Sequence, residues 1–225
     1  MFENWYGKAR APQSTTPSSS LTGEELEQLL LNKLKRCRDA YCQTLWDLAW
    51  LCSRMGRQEQ ACTYIRQILA IGEDPELAAA CYLALGQFME QTRDYDGAFA
   101  YYAQAYALEP VDTHISYFVH NNLGYCLNRL GRYEEAESYL RVALQIDPSK
   151  QNAYKNLGIS LERQGRFAEA AQCYIQGVQA DATDSRALWY LEELISDHPE
   201  IVQAIPDLFL QLERCRAVVQ AARCK

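Results

Sequence analysis

The sequence predicts an all-α fold, a solenoid of stacked antiparallel helix pairs, on three observations. One pattern of about 34 residues recurs in four copies, beginning at Cys42, Ala79, Tyr117 and Gln151. Each copy carries a small residue (Ala49, Gly86, Gly124, Gly158) and, further on, an alanine (Ala61, Ala98, Ala136, Ala170). Two helix backbones come close where side chains that small meet, and a larger one would overpack the contact. Punctuation is the third observation. Gly56, Gly131 and Gly165 stand where the first helix of three copies should end, since glycine takes the left-handed conformation of a helix C-terminus without strain. In the second copy Arg93 occupies that slot. Pro110 and Pro148 close the second helix of two copies, because proline cannot continue a helix; Glu73 and Ala182 hold the slot in the others. One helix pair cannot bury its own apolar face, so the copies must stack.

In chain order, residues 1–21 read as a flexible tail. The stretch 11–20 is rich in Ser, Thr and Pro and poor in apolar residues. Before it, Phe2, Trp5 and Tyr6 form an aromatic cluster that reads as an unstructured end, the alternative being a segment that docks on the concave face of its own or a second copy and competes with the ligand. Thr22 followed by Glu25 is a capping box. From Glu24 to Met55 there is neither Gly nor Pro, and an apolar stripe runs through Leu26, Leu30, Leu34, Cys37, Tyr41, Leu45, Leu48 and Cys52. The first repeat therefore begins with a helix extended at its N-terminal end, about 48 Å long if unbroken, with a break near residue 40 as the alternative. The solenoid with this extension spans 22–184. Unequal repeat spacing places insertions at Glu76–Ala78 and Thr113–Ser116, each of which can lengthen a helix. Residues 185–225 read as capping helices: an amphipathic one over Ser185–Ser196, then a second stripe from Pro199 to Ala222 that Pro206 should kink or divide.

Composition narrows the function. With 48% apolar and 23% charged residues, the chain has the balance of an ordinary soluble protein. No apolar run reaches the 18 or so residues of a membrane span, and the first residues carry no signal-peptide core, so the expected location is cytoplasmic. A formal charge of −7 argues against nucleic acid. The nine cysteines include no Cys-x-x-Cys, which argues against zinc; Cys52, Cys81 and Cys126 fall at core positions, and Cys224 is the one expected to be exposed and reactive. His114, His120 and His198 lack metal-ligand spacing, with His120 in a packing slot, and no phosphate loop or catalytic motif appears. Neither catalysis nor a cofactor is expected.

The four copies in register resemble the tetratricopeptide repeat family over residues 42–184. That resemblance implies a right-handed superhelical solenoid and a concave, protein-binding face lined by fixed positions of each first helix. Carried over, those positions are Trp46 and Trp50 in the first copy, Gln87 in the second, Phe118, Asn121, Asn122, Tyr125 and Arg129 in the third, and Asn152, Lys155 and Asn156 in the fourth. Arg54, Arg129, Lys155 and Arg163 there outnumber Asp47, Glu90 and Glu162, although the whole chain is acidic. Asn122 and Asn156 share one position in adjacent repeats, where an amide can donate to and accept from a peptide backbone. The pair is similar to the asparagine ladder of O-linked N-acetylglucosamine transferase, with two rungs. Neither asparagine is expected to pack between helices. Of the family's two-carboxylate clamp, only Asn122 matches.

The function expected from the sequence is a non-catalytic, cytoplasmic adaptor that binds a peptide or helix of a partner protein. One alternative is a self-assembling scaffold, a homo-oligomer joined through the long first helix or the final helix. The other is a specialised chaperone, because type III secretion chaperones combine an N-terminal helix with about three such repeats.

Overall fold

A computed structural model describes residues 22–223 apart from Glu73. The aromatic N-terminal segment, the 11–20 tether and Cys224 lie outside the described residues. The chain divides between Ile71 and Gly72 into two compact units.

The first unit holds α1 (Gly23–Arg54) and α2 (Gln58–Ile71), packed on each other. At 32 residues without a break, α1 begins at the expected capping box, with Glu25 N–H donating to Thr22 Oγ1 at 3.3 Å and Thr22 N–H to Glu25 Oε2 at 2.7 Å. Its buried face starts only at Cys42 and continues through Leu45, Ala49 and Cys52, against Ala61, Ile65 and Ile68 of α2.

The second unit runs from α3 (Pro75–Gln91) and α4 (Tyr95–Ala107) through α5 (Thr113–Arg129) and α6 (Tyr133–Ile146) to α7 (Gln151–Arg163) and α8 (Phe167–Ala180). It ends with α9 (Arg186–Asp197), the short α10 (Ile201–Ala204) and α11 (Leu208–Arg223). Helices pack in pairs, α3 on α4, α5 on α6, α7 on α8, and each pair contacts the next. Both insertions lengthen helices, α3 and α5 having 17 residues each. The first is also tied to the loop before α5, since Glu76 Oε1 accepts a hydrogen bond from Val111 N–H. Leu188, Leu191 and Leu194 of α9 and Leu212, Cys215 and Val219 of α11 share a core with Ile175 and Val178 of α8. Pro206 divides α10 from α11, as its missing N–H and fixed φ require.

Within each pair the close approach has a specific shape. A Cβ on Gly86 would lie 2.4 Å from Cε1 of Tyr102, one on Gly158 2.3 Å from Cε1 of Tyr174, and one on Gly124 2.4 Å from Cγ of Leu140. The two tyrosines are fully buried, so each hydroxyl needs a partner. Tyr102 Oη donates to Glu90 at 2.6 Å and Tyr174 Oη to Glu162 at 2.8 Å. Where Leu140 replaces tyrosine, the slot of the glutamate holds Asn128, which instead donates to the Asn156 carbonyl at 2.8 Å. Glycine, tyrosine and glutamate thus come as a set within a repeat.

The turns confirm the glycine positions, with φ of 74° at Gly56, 77° at Gly131 and 75° at Gly165. Arg93 adopts the same conformation, at φ 62°, without glycine's freedom. Replacing it by glycine relieves a strain of about 1–2 kcal/mol, offset by about 0.5–1 kcal/mol of chain entropy. Arg93→Gly is therefore expected to raise the thermal midpoint by a few degrees. Gly86→Ala, which drives a methyl into the Tyr102 ring, should lower stability by about 1–3 kcal/mol. Calorimetry of both variants checks this, and a stable Gly86→Ala protein would contradict the packing described.

Candidate functional site

A recess of about 740 Å³ opens in the second unit where first helices of successive pairs, α5, α7 and then α9, lie side by side. Helix α5 contributes Asn121, Asn122, Tyr125, Asn128 and Arg129. From α7 come Asn152, Lys155, Asn156 and, further along, Ile159, Glu162 and Arg163. Glu90 of α3, Tyr133 of α6 and Arg186 and Tyr190 of α9 complete the lining.

The asparagines are not free-standing rungs. Asn156 Nδ2 donates to Asn121 Oδ1 at 3.1 Å, and Asn121 Nδ2 donates to Asn122 Oδ1 at 2.9 Å, so three amides form a chain from α7 to α5. Asn122 and Asn156 are only 8% and 3% exposed, which corrects the expectation that neither packs between helices. Asn121, one position before the shared one, is the middle link, and it places their amides in the seam between α5 and α7. Asn156 Oδ1 and Asn128 Oδ1 are buried acceptors with no protein donor. A buried acceptor in that condition costs about 1–3 kcal/mol.

Charge is distributed by burial. Burial pushes the Glu90 carboxyl up to about 7, opposed by the Tyr102 hydroxyl and by Lys155. It pushes the Lys155 amine down to about 8, helped by Arg186 and opposed by Asp184 and Glu90. Arg129 and Arg163 are exposed, and the Arg129 guanidinium lies 4.9 Å from the Tyr95 ring centre. That ring meets Tyr125 edge-on at 6.1 Å, and burial, then Tyr95, pushes the Tyr125 phenol up to about 12. Arg186 is held by Asp184 and reaches Asn152 Oδ1 with Nη2 at 3.2 Å. Four basic side chains (Arg129, Lys155, Arg163, Arg186) thus surround the recess against two carboxylates (Glu90, Glu162), each of which accepts a tyrosine hydroxyl.

Of the residues carried over from the repeat pattern, Asn121, Asn122, Tyr125, Arg129, Asn152, Lys155 and Asn156 come together here. Four do not. Gln87 is half-buried on α3, and Phe118 packs edge-on against His114 and Tyr117, with ring centres 4.7 and 5.1 Å away. Trp46 and Trp50 are half-buried on α1, in the first unit. Tyr133, Arg186 and Tyr190 escaped sequence reasoning. The signal for the last two was present: a further step of 34 residues from Gln151 falls on Ser185, which gives Arg186 and Tyr190 the second and sixth positions of one more first helix. Glu192 instead of a small residue at the eighth position masked that copy.

His120, His198 and the buried cysteines have packing roles, while Cys37 is exposed. His120 Nδ1 lies 2.7 Å from the Ser116 carbonyl and its ring meets Tyr106 edge-on, while His198 stacks on Phe167. Cys52, Cys81 and Cys126 are buried, as the register required. Among the described residues no group of His, Cys, Asp and Glu could hold a metal ion, and no helix is long and apolar enough to cross a membrane.

Helix pairs at this spacing, with this register of small residues and a recess along their first helices, define a tetratricopeptide solenoid. Family models described as tetratricopeptide repeat match residues 45–79, 79–112 and 115–182, and the chain belongs to that family. Its fold is similar to that of PilF of Pseudomonas aeruginosa, at TM-score 0.64 and 21% identity over 82% of this chain and 78% of that one. It is also similar to residues 41 to the end of MamA from Desulfovibrio magneticus RS-1, at TM-score 0.61 and 17% identity over 79% and 96%. No curated protein sequence matches the chain.

Glu90 makes the site sensitive to pH. Its carboxyl is raised from 4.5 to about 7 on folding, so the stability it favours is present below pH 4.5 and is lost as pH rises through 7. Glu90→Gln keeps an acceptor for Tyr102 and removes the titration. The variant is expected to gain little at pH 4.5 and about 3 kcal/mol above pH 7. Urea unfolding at pH 5 and pH 8 measures the difference; an equal gain at both would show that burial of the charge is not the cause.

Proposed function

We propose that this protein is a non-catalytic, cytoplasmic adaptor whose recess between α5, α7 and α9 binds an extended segment of a partner protein, one carrying acidic side chains. The observation that carries this reading is a recess ringed by Arg129, Lys155, Arg163 and Arg186 against two carboxylates, both of which already accept a tyrosine hydroxyl, in a chain of formal charge −7. Carboxylates of a partner answer that imbalance. The asparagine chain holds the recess open at a fixed width, which lowers the ordering cost of binding. Tetratricopeptide membership and the likeness to other solenoids support a protein-binding role of this general kind.

Arg129→Glu combined with Arg163→Glu tests it, since both side chains are exposed at the rim. Partners captured from the native host by the wild-type chain and identified by mass spectrometry should be lost or depleted at least tenfold with the variant, whose circular dichroism and melting stay normal. Equal capture would place the interface elsewhere. Asn122→Ala with Asn156→Ala should weaken binding too, but with a loss of stability of about 1–3 kcal/mol, because it opens the amide chain between α5 and α7.

A further inference from the structure

From Gly23 to Tyr41, α1 has no buried residue, yet it carries Leu26, Leu29, Leu30, Leu31 and Leu34, each about half exposed or more, up to 68% at Leu34. About two and a half turns of helix therefore present leucine outward. An apolar face of this kind marks a protein contact, and the charges beside it show which.

At about 100° per residue, Leu26, Leu29, Leu30, Leu34, Cys37 and Tyr41 share one arc of the helix, with Lys33 inside it. Glu25 and Arg36 border that arc on one side, and Glu27 and Arg38 border it on the other. Each border thus carries a negative charge near the start of the helix and a positive charge about three turns later. Two helices that pack through such a stripe in antiparallel fashion set like borders against each other, whereas parallel packing sets opposite borders together. In the antiparallel arrangement Glu25 faces Arg36 of the second copy, and Glu27 faces Arg38, each pair formed twice by symmetry. In the parallel one, Glu25 falls beside Glu27 and Arg36 beside Arg38. Attraction on both borders in one orientation, and repulsion on both in the other, is the complementarity of this sequence with itself.

We propose that the N-terminal extension of α1 is a homodimerisation surface, on which a second copy of this chain packs antiparallel, centred between Leu31 and Asn32. The leucines close over one another in an isologous contact, with Leu29 of one copy opposite Leu34 of the other. This inference is independent of what that recess binds. A contact of some five turns is short for a coiled coil, so the dimer dissociates on dilution.

Sedimentation equilibrium of the full chain across a concentration series should show a reversible monomer–dimer equilibrium. Leu30→Glu with Leu34→Glu should abolish the dimer while leaving helicity and melting unchanged, since both positions are exposed. Glu25→Lys with Glu27→Lys makes both borders wholly positive and should weaken self-association at least tenfold; Arg36→Glu with Arg38→Glu makes them wholly negative, with the same effect. Mixing those two variants should restore the dimer as a heterodimer. Orientation is read by disulfide formation. Leu26→Cys should cross-link to Cys37 of the second copy under mild oxidation, whereas the native Cys37 pair, about 16 Å apart along the axis, should not. A chain that is monomeric at all concentrations, a dimer indifferent to the charge reversals, or ready Cys37–Cys37 cross-linking would each overturn the proposal. So would a monomer that dimerises only after deletion of residues 1–20, because the chain's own N-terminal segment would then be the occupant.

Discussion

The approach of paired helices at a single small residue is the contact on which the rest of this structure depends. At Gly86, Gly124 and Gly158 the second helix puts a ring or an isobutyl group where a Cβ would be, so the backbone itself is the wall of the core. That choice propagates. A tyrosine large enough to fill the gap brings a hydroxyl into the buried interior, and the hydroxyl fixes a carboxylate one turn beyond the glycine, at Glu90 and Glu162. Both carboxylates then stand at the recess. The polar character of the candidate site is thus partly a consequence of how the core is packed, since filling the hole left by a glycine with tyrosine requires an acceptor nearby.

The same logic governs the asparagines. Amides in the seam between α5 and α7 satisfy each other as far as geometry allows, and Asn128 Oδ1 and Asn156 Oδ1 are left as buried acceptors without a protein donor. Burial moves the Glu90 carboxyl up to about 7 and the Lys155 amine down to about 8, so neither is as fully charged near neutral pH as it would be in water. Arg129 and Arg163 are exposed at the recess, and in the proposed binding mode they steer an acidic partner toward it.

The ends of the chain show two treatments of an apolar stripe. At the C-terminal end, α9 and α11 turn theirs onto α8, and Ile175 and Val178 are buried. At the N-terminal end, α1 runs on past its last buried residue and leaves its leucines outward. A solenoid needs covers for its end faces; the second unit makes one from its own helices, whereas the stripe on α1 is left exposed.

Local chemistry determined the elements. Repeat register located the helix pairs, Thr22 and Glu25 the start of α1, Gly131 and Gly165 the turns, and Pro206 the break before α11, because each of these signals acts within a few residues of chain. Seven of the eleven expected groove residues converge on the recess for the same reason: a helical period fixes which side chains share a face. Contacts between distant residues were decided only by tertiary structure. That Asn156 would spend its amide on Asn121, that Tyr102 would reach Glu90, and that Arg186 and Tyr190 would close the recess each depends on the offset between stacked pairs, which no single helix encodes. Arg93 illustrates the balance: the sequence marks its slot as a place for glycine, and packing on either side holds the arginine in the left-handed turn all the same, because the helices it joins gain more from their contact than one strained residue costs.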